Sequence, residues 1–187
     1  ASGGRYIGKL VADKLGIKLY DNEFISKVAE ETGLSEEYIE NNEQKRDVLA
    51  SLNNGYYSGL NNSDELFIKE SELIKEVADK ESCVIVGRCA DFILADRENV
   101  INVFVYSDMN DKINRATTYY GMDKAKAEKE IRRIDKLRAN HYKYYTDKDW
   151  DNHSNYDICI NSDAFGVEKS ADLICELVES KLEMVKA

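Results

Sequence analysis

Cys83-Val84-Ile85-Val86-Gly87-Arg88 is an unbroken apolar run that ends on a glycine and a cation. Its hydrophobicity is continuous rather than alternating, which suits a parallel strand covered on both faces. Val100-Ile101-Asn102-Val103-Phe104-Val105 and Tyr156-Asp157-Ile158-Cys159-Ile160 read the same way, and Ile17-Lys18-Leu19-Tyr20 is a shorter strand stopping at Asp21-Asn22. Helical spacing fills the intervals. Ile7, Leu10, Val11 and Leu15 form one stripe, closed by Gly16 as a stop signal. Leu66, Phe67, Leu73, Ile74, Val77 and Ala78 form a second, with Ser63 placed to cap it. Further helices are predicted over about 108–120, 123–145 and 167–185, and shorter ones over 23–31 and 35–45. Residues 46–62, marked by Asn53-Asn54-Gly55 and Asn61-Asn62-Ser63, read as a loop or mobile segment. Strands alternating with helices predict an α/β protein of three layers.

The 187 residues suffice for one domain with a sizeable core. No apolar run approaches the roughly 18 residues of a membrane span, so no membrane partner is expected. The formal charge is −10, which argues against sequence-blind nucleic-acid binding. A small phosphorylated ligand remains compatible, because a pocket can be locally basic inside an acidic envelope. None of Cys83, Cys89, Cys159 and Cys175 forms a C-x-x-C pair, so neither zinc nor a redox motif is indicated. Cys83 and Cys159, lying in apolar runs, are expected as buried free thiols, which fits a reducing, cytoplasmic compartment.

Ser2-Gly3-Gly4-Arg5-Tyr6 opens directly into the first helix. Backbone N–H groups of such a turn, with a helix N-terminus behind them, form a nest for phosphate oxygens. A strand feeding a glycine-rich turn and a helix is the P-loop arrangement. Four strands are visible and the feeding strand is not, so this reading places it upstream of Ala1.

Taken together, Ser2-Gly3-Gly4-Arg5-Tyr6-Ile7-Gly8, Tyr20-Asp21-Asn22, Val84-Ile85-Val86-Gly87-Arg88 and Ile134-Asp135-x-x-Arg138-Ala139 resemble the cytidylate kinase-like family in order and spacing. The resemblance covers nearly the whole chain. It implies an α/β, three-layer α/β/α P-loop NTPase fold with a parallel sheet and ATP and Mg²⁺ as cofactors. The implied activity is transfer of the ATP γ-phosphoryl group to a nucleoside monophosphate such as CMP or dCMP. Residues of about 23–80 would form the monophosphate-binding region and about 112–145 a lid-like region. Ser2, Gly3, Gly4, Arg5 and Tyr6 would hold the donor nucleotide. Lys27, Arg88 and Arg138 would grip the acceptor phosphate, Asp135 its ribose, and Asp21 with Asn22 the floor of that site. Arg115, Arg132 and Arg133 would close over the transferring group, with Arg5, Arg88 and Arg138 the catalytic cations.

The sequence also departs from the family pattern. The usual ending G-K-[ST] is absent: Gly4 stands at the lysine position and Arg5 at the hydroxyl position that holds Mg²⁺, or, one residue slipped, Arg5 replaces the lysine. Lys27 replaces an arginine, giving a point charge instead of a fork. Cys89 stands where true cytidylate kinases carry a cytosine-reading Asp. Two alternatives therefore stand: a nucleotide-binding sensor or scaffold, and a kinase for another phosphorylated or hydroxylated metabolite, with Asp21 as its base. Each cation also has a bland reading as a structural ion pair. Tyr142, Tyr144, Tyr145 and Trp150 read as packing aromatics rather than a base platform, and His141 and His153 as satisfied or surface histidines.

Overall fold

The structure, a computed structural model, describes residues 2–21 and 62–186. The helices expected at 23–31 and 35–45, the loop up to residue 61, and with them Asn22 and Lys27, lie outside the described residues.

Helix α1 (Gly4–Leu15) carries its stripe on one side, burying Ile7 and Val11, and ends where Gly16 takes a left-handed φ of 66°. That cap donates its N–H back to the carbonyls of Ala12 and Asp13, satisfying acceptors the helix leaves open. Strand β1 (Lys18–Tyr20) pairs in parallel with β2 (Cys83–Ile85), Tyr20 opposite Ile85. Between them in the chain stands α2 (Asn62–Lys80), in which Ser63, the expected cap, already lies inside the helix. A short helix α3 (Ala90–Ile93), not foreseen, follows β2. Strand β3 (Val103–Tyr106) pairs in parallel with β4 (Ile158–Asn161), and Tyr106 faces Asn161. Both strands begin later than the apolar runs suggest. Asp157 is the cause, because its N–H bonds the Asn102 carbonyl and its carboxylate accepts from the Asn102 N–H, closing the approach before the ladder starts.

Helices α4 (Met109–Tyr120) and α5 (Lys124–Thr146) form a hairpin turned at Gly121, each opened by an aspartate cap, Asp108 and Asp123. The last helix, α6 (Ser162–Lys186), breaks at Gly166, so its long part begins where the periodicity places it, at Val167.

The layers follow from which way alternate strand residues face. On β2, Cys83 and Ile85 pack with Tyr20, Leu66, Leu73, Ile74 and Leu94, whereas Val84 packs with Ile7 and Val11 of α1 and Ala171 and Ile174 of α6. Helices therefore cover β2 on both faces, as its continuous apolar run requires. Burying a side chain such as Ile7 or Ile74 completely is worth about 1.5–3 kcal/mol. α1 spans both strand pairs: its Gly8 lies against Val84, Val86 and Leu19, and its Gly4 against Val105. A third, smaller core of Ala116, Ala127 and Ile131 holds the α4–α5 hairpin together.

One expectation is corrected at β4. Cys159 is exposed rather than buried, whereas Ile160, on the opposite face of the strand, is buried. All four cysteines are free. The aromatic residues at the end of α5, with Trp150 just beyond it, pack as expected except for Tyr144. Tyr145 stacks on Phe67 with ring centroids 3.8 Å apart, Trp150 meets Phe104 edge-on at 5.5 Å, and Tyr142 is buried. Tyr144 is the exposed member. His141 sits edge-on to Phe67 and Tyr145. No helix among the described residues is long and apolar enough to cross a membrane.

Candidate functional site

Parallel strands send their C-terminal ends to one edge, and the turns there collect the polar residues. Gly3 caps α1 at φ 85°, a conformation natural to glycine, with no side chain capping the helix and no acidic residue in its first turn. The first-turn N–H groups and the positive end of the helix dipole therefore have no carboxylate from their own turn beside them. The Arg115 guanidinium lies directly over this turn, 3.3–3.4 Å from where a Cβ on Gly3 would stand. From below, Ser162 Oγ donates to the carbonyl of Ser2 at 2.7 Å, with that of Tyr106 at 3.2 Å, tying the turn to the ends of β3 and β4. Tyr6, assigned to the nucleotide, is exposed on the helix surface.

Across α1, Arg5 forms an ion pair with Asp21 at the end of β1. Asp21 in turn adjoins the end of β2, since the Val86 N–H bonds the Tyr20 carbonyl at 3.2 Å. There Gly87, Arg88 and Cys89 take φ values of 77°, 61° and 55° in succession. Left-handed conformations at two non-glycine residues cost about 1–3 kcal/mol each and concentrate at functional turns. Arg88 Nη1 lies 3.6 Å from Glu70 Oε1, with the two side chains 13% and 0% exposed. Cys89 is buried beside them. Desolvation, with the negative charges of Asp91 and Glu70, pushes its thiol up to about 12, so it is a neutral packing group.

Asp135 is held on both sides, by Lys112 Nζ at 2.7 Å and Arg138 Nη1 at 3.3 Å. Lys112 precedes Arg115 by one turn of α4 and so shares its face. Through this chain the α5 pair joins the helix that lays Arg115 over the glycine turn. Arg132 and Arg133, by contrast, stand exposed on α5 and point to Glu128 and Glu130 of their own helix. Farther along α5, the Tyr142 hydroxyl donates to Asp91 at 2.5 Å, and burial followed by that bond raises its pKa.

Asp108, Asp111 and Asp163 bring carboxylate oxygens within 4.8 Å of one another. Asp163 already accepts from Ser107 Oγ and the Asp108 N–H, and Asp108 from the Asp111 N–H. The charge of Asp163, and then burial, hold the Asp111 carboxyl above its ordinary value. Oxygen-only donors of this kind suit a hard divalent cation.

Sequence reasoning passed over Glu70, Lys112, Ser162 and this acidic group. Glu70 had a signal, because position 70 falls on the apolar stripe of α2 where a carboxylate is out of place.

The family model that describes the cytidylate kinase-like family matches residues 1–164. The chain belongs to the cytidylate kinase-like family. Its similarity extends to a cytidylate kinase from Archaeoglobus fulgidus, 26% identical over 183 residues, covering 96% of this chain and 91% of that protein. Among solved structures it is similar to an uncharacterized protein from Eubacterium ventriosum. That match has a TM-score of 0.73 and 28% identity, and covers 96% of this chain and 92% of the other. Membership supports a nucleotide kinase activity as the class of function to test.

Proposed function

We propose that the chain is an ATP-dependent kinase of nucleoside monophosphates, CMP or dCMP foremost, built on the P-loop fold. One observation carries the reading: in a member of this family, the N-terminus of α1 has no side-chain cap, lies under the Arg115 guanidinium and carries Arg5, which pairs with Asp21 at the end of β1. The edges of β2 and β3 turned away from their partners pair with no described strand, while α1 covers both pairs.

Phosphoryl transfer asks for in-line alignment and positive charge around the moving group rather than covalent chemistry from the protein. The turn Ser2–Arg5 would bind the donor phosphates through its N–H groups and Arg5, with Arg115 neutralising them from above. Arg88, with Lys27, would hold the acceptor phosphate, and Asp21 and Asn22 would floor its site. Asp135 and Arg138 reach the site through Lys112 and the swing of the α4–α5 hairpin, and Arg132 and Arg133 would leave their glutamates on closure. Where the family employs Mg²⁺, Asp108, Asp111 and Asp163 are carboxylates fit to hold it, and the ion would neutralise phosphate charge. No general base is required when the acceptor oxygen is already anionic.

The test is a coupled assay with ATP and each common monophosphate; turnover with CMP or dCMP is expected, and no turnover with any would refute the kinase reading. A binding module without catalysis is favoured by two features, the lack of the G-K-[ST] ending after the glycines and Cys89 in place of the cytosine-reading Asp. Calorimetry showing tight ATP binding with no product would select it.

A further inference from the structure

We propose that Glu70 is a positioning residue, which holds the Arg88 guanidinium in the orientation that receives a phosphate. The inference rests on the reading of Arg88 as the acceptor-phosphate cation, and it deepens that reading by naming what aims the cation.

Glu70 lies on the buried face of α2, within the row Leu66, Leu73, Ile74 and Val77. Every other member of that row is apolar, and Glu70 is 0% exposed. A carboxylate taken out of water among leucines and isoleucines is costly unless a cation compensates it. Arg88 supplies that charge at 3.6 Å. The turn that presents Arg88 is itself strained, with left-handed backbone at Arg88 and Cys89. Simple stability would favour an aliphatic residue at position 70 and a relaxed turn, because replacing a buried ion pair by apolar groups is often neutral or stabilising. Two separate costs thus converge on one geometry, a guanidinium fixed at a strand end.

Arginine offers five N–H donors in a rigid fork. A guanidinium held as one rigid plane by its ion pair with Glu70 is already ordered when a phosphate arrives, so the phosphate meets a preformed partner rather than a side chain that must be ordered on binding. A displacement of about 1 Å in such a contact can cost about a hundredfold in rate.

The experiment uses the full chain and its variants Glu70→Gln, Glu70→Asp, Arg88→Met and the double variant Glu70→Gln/Arg88→Met. Each is titrated with inorganic phosphate by calorimetry, melted by circular dichroism, and assayed with ATP and CMP. Arg88→Met defines the part of phosphate affinity owed to that cation. Glu70→Gln is expected to lose about tenfold in phosphate affinity and to raise KM for CMP by a similar factor, with KM for ATP within about twofold. Glu70→Asp should fall between, and the double variant should bind no more weakly than Arg88→Met alone. Equal or tighter phosphate binding by Glu70→Gln would show the carboxylate to be a mere competitor and overturn the proposal, as would additive losses in the double variant. If Glu70→Gln does not fold, Glu70→Asp decides. A several-fold loss of phosphate affinity at an unchanged melting temperature supports positioning, and unchanged affinity refutes it. Wild-type chain that binds phosphate through Arg88 but transfers none to any monophosphate would end the kinase reading and leave this one standing. An active wild type with a phosphate-insensitive Glu70→Gln would do the reverse, and no phosphate binding by the wild type would end both.

Discussion

Two adjacent glycines at the start of α1 respond oppositely to the same substitution. Gly3 holds φ 85°, and a Cβ there would stand 3.3 Å from Cζ of Arg115. An L-residue in the left-handed region costs about 1–2 kcal/mol, and the contact with Arg115 adds to this whatever its side chain cannot shed by moving. Gly4 is helical, and a Cβ there would meet Val105 Cβ at an ordinary 3.6 Å. Alanine at such a position reduces the entropy of the unfolded chain and stabilises by about 0.4–1 kcal/mol. The two variants should therefore differ by about 1.5–3 kcal/mol on these principles. In a domain of this size each kcal/mol moves the midpoint by about 2–4 °C. Thermal melts followed by circular dichroism should place Gly3→Ala below wild type and Gly4→Ala level with it or above. Gly3→Ala should also weaken ATP binding in calorimetry, since it displaces Arg115 and roofs the turn. A Gly3→Ala midpoint at or above wild type, or equal losses in both variants, would refute the claim that this turn is held in a glycine-only conformation under Arg115.

Other consequences can be checked on the same material. Ser162→Ala removes the donor shared by the Ser2 and Tyr106 carbonyls, and urea denaturation should record a loss of about 1–3 kcal/mol. Lys112→Met leaves Asp135 without its closer partner; the α4–α5 hairpin should open more often, seen as faster amide exchange in 124–146 than in α1. Native alkylation mapped by mass spectrometry should label exposed Cys159 first and spare Cys89. Burial pushes the Cys89 thiol up to about 12 in the folded chain, whereas the unfolded chain exposes it at its ordinary 9.0. The native state thus binds more protons across that window, so stability falls as pH rises above about 9. Cys89→Ala should flatten that fall in denaturation curves taken at successive pH values.

Local order was legible because it depends on neighbours in the chain. The stripes of Ile7–Leu15 and Leu66–Ala78, the continuous run at Cys83–Val86 and the stop at Gly16 each encode a period or a turn that the backbone must obey. So was membership of the family, which is written in short motifs at fixed order. Boundaries were less so: β3 and β4 start late because Asp157, 55 residues away, closes on Asn102.

What the linear order could not reveal is which cations share a surface. Arg115 and Arg132 look alike as residues on charged helices. Folding lays one over Gly3 and leaves the other on a glutamate of its own helix. Glu70 is out of place on the apolar stripe of α2, but nothing in the linear order says that β2 will bring Arg88 against it. Periodicity and turn chemistry act within a few residues, whereas charge pairing and desolvation act through space. The elements were therefore determined by the sequence alone, and the architecture of the site by the packing that brings their ends together.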